Sequence, residues 1–298
     1  MLREVLIKRQ YLSLIEILLV SMLLIALTVL IFPSLDKTLQ MAKTNHCTSN
    51  LRSIAYAKHL YANDYGKYVL FRKARSTSTN PRAGHSVFWD DMLGGGYDGR
   101  NLSIAMQDKG VLRRSKKELN GADIYNCPND LEGNLRDFET GHKGHAGLQA
   151  DALGRSYSIN GYLSWNGHPN ENKQGFSGIE YRSVTGRNRF LIWSQSVSRV
   201  INPSIVFMIV ERPGAGWIGG GGAAVTGNAK AQEGFYDIRW WTNNRNVTPV
   251  FNNLKYHQNG WNYLFADGHV QNMLQEDSYG PGGVATNPKG YWSIRVTD

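Results

Sequence analysis

Nine residues separate His257 from Asp267-Gly268, and His269 follows directly. An imidazole and a carboxylate brought together can hold a metal ion, relay a proton or simply bond each other. Two or three such groups do not select a metal, so a satisfied polar clasp is the plain expectation. Cys47 and Cys127 lie far apart and make no C-x-x-C metal spacing. Outside the cytoplasm they can form one disulfide; otherwise they are buried thiols. Asp90, Asp91 and Asp98, around Gly94-Gly95-Gly96, offer oxygen ligands for calcium. They do not fit the D-x-D-x-D-G loop and read as solvated loop acids. Gly214-Ala215-Gly216-Trp217-Ile218-Gly219 is a literal GxGxxG, but more glycines follow where a dinucleotide site needs a helix. No G-x-S-x-G, H-E-x-x-H or P-loop is present. The expectation is a protein that is not an enzyme, with no resident metal or cofactor.

These residues need elements to position them. Residues 11–32, YLSLIEILLVSMLLIALTVLIF, hold one acid, Glu16, and no Lys, Arg or Asp. As a helix this stretch spans roughly 33 Å, enough for a hydrocarbon core of about 30 Å. Arg3, Lys8 and Arg9 precede it, which favours a cytoplasmic N-terminus and a head outside the inner membrane. The run is longer than a signal-peptide core and no A-x-A follows it, so an anchor is expected. A carboxylate within such a span costs about 2.5–3.5 kcal/mol on insertion scales. Glu16 therefore either reaches the interface or pairs with a cation on a neighbouring subunit.

After Pro33 the helical period resumes. Leu35, Leu39, Ala42, Cys47, Leu51, Ile54, Ala55 and Tyr61 mark a buried face, and Asp36, Lys37, Lys43, Arg52 and Lys58 an exposed one. The helix should end in Asn63-Asp64-Tyr65-Gly66. Strands are expected at 156–162, at 202–211 behind Pro203, and at 262–266. A type I′ turn at Asp267-Gly268 would return the chain through 269–273. That hairpin leaves His257 placed to cross to the turn and bond Asp267 or backbone groups. A net charge of +9 and eight Trp residues are compatible with glycan or nucleic-acid binding, but also with solubility and packing.

Ser13-Leu14-Ile15-Glu16 with Leu18-Leu19-Val20 resembles the F-T-L-I-E-L-L-V signature of type IV prepilin-like proteins. With Leu12 as mature position one, Glu16 is position five and Pro33 position twenty-two, where that family places its Glu and its Pro. Tyr11 stands where the family usually has Gly, and Leu12 where it usually has Phe. Cys47-Thr48-Ser49-Asn50-Leu51-Arg52, Tyr61–Tyr68, Tyr125–Asp130, Ser156–Tyr162, Asn202–Glu211 and His257–Val270 resemble the H-X9-DG subgroup of these proteins.

The resemblance implies an α+β, pilin-like fold. A leader (1–11), a transmembrane assembly helix (12–33) and a stalk helix (34–64) would precede an extracytoplasmic head (65–298). The helix would lie on an antiparallel sheet with large loop insertions. The implied function is a pseudopilin-like subunit of a type II secretion or type IV pilus filament in the inner membrane. Its implied partners are like subunits and a prepilin peptidase and methyltransferase, with Glu16 pairing to a neighbour's N-terminal amine. The resemblance also implies pairing of Cys47 with Cys127. The alternative is an uncleaved, membrane-anchored surface protein that binds glycan or nucleic acid.

Overall fold

A computed structural model describes residues 13–70, 72–74, 86–109, 122–129, 156–164, 175–184, 187–211, 223–226, 257, 260–274, 277–279, 291 and 294. The chain divides into two compact units, Met1–Ala42 and Lys43–Asp298. Helix α1, Leu14–Tyr65, contributes to both.

In the first unit, residues 14–32 are exposed throughout, and the helix is long and apolar enough to cross a membrane. Its few hydroxyls fold back on the helix. Ser21 donates to the Leu18 carbonyl at 2.8 Å and Thr28 to the Leu24 carbonyl at 2.6 Å. Neither of these two hydroxyl donors is left without an acceptor. Pro33 sits inside the helix; lacking an N–H, it cannot bond the carbonyl one turn back. Leu35 and Leu39, expected to be buried, are exposed. An apolar stripe records a preference for burial, and its periodicity does not say where along its length a partner is supplied.

In the second unit the buried face of α1 begins at Cys47 and continues through Leu51, Ile54, Ala55, Ala57 and Ala62. The helix ends at Tyr65, and Gly66 follows with φ +66°, a left-handed stop that glycine adopts at little cost. Strands β1 (Arg72–Ala74) and β2 (Ser86–Phe88) form a small antiparallel pair, and the short helices α2 (Trp89–Leu93) and α3 (Ile104–Lys109) follow. The main sheet contains β3 (Tyr157–Ser164), β4 (Ser177–Val184), β5 (Arg187–Ser194), β6 (Phe207–Glu211), β7 (Ala223–Thr226), β8 (Trp261–Phe265) and β9 (Val270–Met273).

Four strands, in the order β3-β6-β8-β9, pair antiparallel, giving the expected α+β character. The sheet is nonetheless mixed: β4 and β7 both join β3 in parallel, while β5 pairs antiparallel with β4. Parallel neighbours need long connections, and short-range turn chemistry does not announce them.

Alternation along β8 sorts the core. Leu264 joins the cluster that includes Cys47, Leu51 and Ile54, whereas Trp261, Tyr263 and Phe265 join Phe207, Val210 and Met273 in a second cluster. Phe207 stacks on Tyr263 with centroids 4.6 Å apart. The sheet therefore has apolar packing on both faces, which is why β6 and β8 are buried at every position. The expected type I′ turn is instead a three-residue loop, Ala266-Asp267-Gly268, between Phe265 and His269, which are bonded to each other. Gly268 alone takes a positive φ, +96°, whereas a type I′ turn also needs one at Asp267.

Lys58 corrects the expected polar face. It is fully buried, and its Nζ has no hydrogen-bond partner. The ammonium position lies 5.7 Å from the Phe176 ring and 6.0 Å from the Trp89 ring. Burial pushes its pKa well below the usual 10.5, because desolvation penalises the charged form. The unfolded state binds the proton more readily, so stability rises with pH between the lowered folded pKa and 10.5. Lys58→Met should raise the melting temperature at neutral pH. Its advantage over the natural chain should shrink by about 1.4 kcal/mol per pH unit within that window, read from thermal unfolding between pH 7 and 10.

Candidate functional site

The residues singled out by type converge at one buried point in the second unit. Cys47, on α1, is bonded to Cys127, with Cα atoms 5.2 Å apart. The bond closes a sequence separation of 80 residues. A loop of that length corresponds to about 4–5 kcal/mol on a chain-entropy account. Neighbouring bonds hold both cysteines. Cys127 N–H donates to Ser156 Oγ at 2.8 Å, and Ser156 N–H donates to the Tyr125 carbonyl at 2.9 Å. Asn50 Nδ2, one helical turn beyond Cys47, donates to the Asn126 carbonyl at 3.0 Å. Tyr157 Oη reaches the Cys47 carbonyl at 3.5 Å.

His257 stands beside this bond, its Nε2 3.7 Å from Cys127 Sγ and 2.9 Å from Glu211 Oε1. Both side chains are almost completely buried. On the other side of the ring, Nδ1 lies 2.9 Å from Asn129 Nδ2 and 3.0 Å from Thr44 Oγ1. With the Asn129 amide donating to Nδ1, the proton belongs on Nε2 and is directed at Glu211. Glu211, the last residue of β6, accepts from Asn262 N–H at 2.6 Å on Oε2 and from Asn262 Nδ2 at 2.9 Å on Oε1. Asn262 Oδ1 in turn accepts from Asn272 Nδ2 at 3.0 Å. A carboxylate this far from water is tolerable because both oxygens are occupied.

The backbone fixes the imidazole. His257 and Gly260 exchange two hydrogen bonds, at 3.1 and 3.2 Å. Gly260 has φ +132°, and a Cβ there would run into the Met273 backbone. The glycine thus lets the chain turn tightly from His257 into β8.

The expected clasp between His257 and Asp267 is not formed. His257 is committed to Glu211, Asn129 and Thr44, while Asp267 Oδ1 lies 2.6 Å from His269 Nδ1 and accepts from His269 N–H at 3.1 Å. Asp267 caps its own loop because Ala266-Asp267-Gly268 is one residue longer than a two-residue turn. His269 stacks on Phe265 at 4.0 Å and remains partly exposed. Gly268 lies near α1, where a Cβ would stand 4.0 Å from Ala55 Cβ.

The loop acids are also not solvated. Asp90 and Asp91 are buried, and Asp98 pairs with the buried Arg100 at 2.5 Å. Tyr125 Oη donates to Asp98 Oδ2 at 2.6 Å, and burial pushes the Tyr125 phenol well above its usual 10.0. Arg100 occupies the place a cation would take. Of the tryptophans, Trp89 and Trp261 are core residues; Trp165, Trp217, Trp240, Trp241 and Trp292, together with the GxGxxG stretch, lie outside the described residues, as do Tyr11 and Leu12.

Glu16, in the first unit, has a local role. Ser13 N–H donates to Glu16 Oε2 at 2.8 Å and Glu16 N–H donates to Ser13 Oγ at 3.3 Å, a reciprocal capping box at the start of α1. Sequence reasoning passed over this role, although S-L-I-E is the S-x-x-E pattern itself. It also missed Glu211, whose signal was a lone charge closing the apolar run Phe207-Met208-Ile209-Val210. Thr44, Asn129 and Asn262 carried no separate signal.

Compared with known protein families, curated proteins and solved structures, the chain matches none.

Chemically, the arrangement is a buried knot in which a disulfide, an imidazole and a carboxylate fix each other's positions. Glu211→Gln turns an NH2 toward a donor in either amide orientation. It should lower unfolding free energy by about 2–3 kcal/mol, measured by urea denaturation of the oxidised protein.

Proposed function

We propose that the chain is a pilin-like structural subunit of a membrane-rooted filament, of the type II secretion or type IV pilus kind, and not an enzyme. The observation that carries this reading is α1 itself. One helix holds Glu16 and Pro33 at the family's spacing, and its apolar residues from Leu14 to Phe32 are exposed along the whole stretch. A lipid bilayer would cover that surface before assembly, and neighbouring subunits would cover it afterwards. Arg3, Lys8 and Arg9 favour insertion in the inner membrane with the N-terminus in the cytoplasm and the head periplasmic or extracellular.

In this reading a prepilin peptidase cuts after Tyr11, and the new amine of Leu12 is methylated. Glu16 then exchanges its cap to Ser13 for the ammonium of an adjacent subunit. A carboxylate–ammonium pair, charged on both sides, is stronger in a low-dielectric setting than the carboxylate-to-backbone N–H bond it replaces. Like subunits are the partners, and register follows from one carboxylate meeting one amine.

The capping box favours a second reading, because it satisfies Glu16 within a single chain. An uncleaved, anchored surface protein that binds glycan or nucleic acid needs nothing more of that residue.

Glu16→Gln separates the two, since glutamine keeps the capping box but loses the charge. The filament reading expects E16Q to remain in the membrane at normal levels and to be lost from sheared or cross-linked filaments. The anchor reading expects no change. Mass spectrometry of the mature N-terminus adds an independent check: methylated Leu12 supports the filament reading, and an intact leader supports the anchor.

A further inference from the structure

We infer that the chain with Cys47 and Cys127 reduced holds a zinc ion between Cys47, Cys127, Glu211 and His257, and that the disulfide and the metal are alternative states of one site. One ligand atom from each of these four buried residues lies within 4.8 Å of every other. Two thiolates, one imidazole and one carboxylate are a donor set that suits tetrahedral zinc.

The distances already approach that geometry. Zinc bonds of about 2.3 Å to sulfur and about 2.0–2.1 Å to nitrogen or oxygen put tetrahedral S···N at about 3.5 Å and N···O at about 3.3 Å. Cys127 Sγ to His257 Nε2 is 3.7 Å, and His257 Nε2 to Glu211 Oε1 is 2.9 Å. The larger change is at the sulfurs, now bonded to each other, which must part to about 3.7 Å. Rotation about the two Cα–Cβ bonds achieves this without moving the backbone, whose Cα atoms stand 5.2 Å apart.

The surrounding bonds suit a metal as well. With zinc on Nε2, the imidazole proton moves to Nδ1, where the Thr44 hydroxyl at 3.0 Å accepts it and the Asn129 amide turns its oxygen, in place of Nδ2 at 2.9 Å, toward the ring. Glu211 loses the His257 donor on Oε1, freeing that oxygen for the metal, while Asn262 continues to hold the carboxylate. In the oxidised chain the sulfurs offer no thiolates, so the site is closed to the ion.

The steps balance. A disulfide, two electrons and two protons give two thiols, the electrons coming from a phosphine in vitro or from a dithiol in the cell. Two thiols, zinc and the neutral imidazole and carboxylate ligands then give the complex, with release of two protons. The zinc form belongs to the reducing side of the membrane and the disulfide to the oxidising side. The inference does not depend on filament assembly.

Cobalt is the probe. The full chain in detergent is titrated with Co2+ after oxidation, and in parallel during reduction by a phosphine in the presence of Co2+, with far-ultraviolet circular dichroism recorded on each sample. The expected result is one cobalt per chain in the reduced sample only, with tetrahedral visible bands and a thiolate charge-transfer band that zinc displaces. Glu211→Gln, which keeps the thiols, should retain the charge-transfer band and weaken affinity at least tenfold. The inference is overturned if the reduced, folded chain shows no thiolate band, if oxidised and reduced samples bind cobalt equally, or if reduction unfolds the chain equally with and without metal.

Discussion

Glu211 is a carboxylate at the end of a strand whose every residue is buried, and an unpaired charge there would cost several kcal/mol. The elements around it are arranged to prevent that. β8 supplies Asn262, which bonds both carboxylate oxygens, and β9 supplies Asn272 to orient Asn262. His257 comes from the turn that Gly260 makes possible, and its far side is held by Thr44 on α1 and by Asn129. The disulfide fixes the segment carrying Asn129 to the helix carrying Thr44. One buried acid thus sets where these separate stretches of the second unit must meet, and the apolar clusters pack around that meeting point.

This arrangement explains why the motifs in the sequence are scattered. The stretch from Cys47 to Asn50, the stretch around Cys127, Ser156-Tyr157, the end of β6 and the turn before β8 are short, far apart and individually unremarkable. Each contributes one or two polar groups to the same knot. The spacing between them reflects chain routing, so their sum is not visible as a local pattern.

Legibility in the sequence follows the range of the physics involved. The apolar helix, its stop at Gly66 and the strands β3, β6, β8 and β9 rest on local periodicity and turn residues, and these could be read directly. The parallel pairings of β4 and β7 with β3 depend on long connections and could not. Within the site, His257 was recognisable but its partner was not. Asp267 is near in sequence, whereas Glu211 lies across the sheet and is brought close only by the β6–β8 register. Lys58 and Asp98 misled for the same reason: a charge reads as exposed until the fold supplies a burial site, and here aromatic rings and Arg100 supply it.

The central claim is that the disulfide and the His257–Glu211 pair act as one unit. The direct measurement is a double-mutant cycle by chemical denaturation, combining Cys47→Ser/Cys127→Ser with His257→Asn. Groups that share one network should show a coupling of about 1–3 kcal/mol. If instead the two losses add to within about 0.5 kcal/mol, the disulfide and the buried pair are independent neighbours and the account is contradicted.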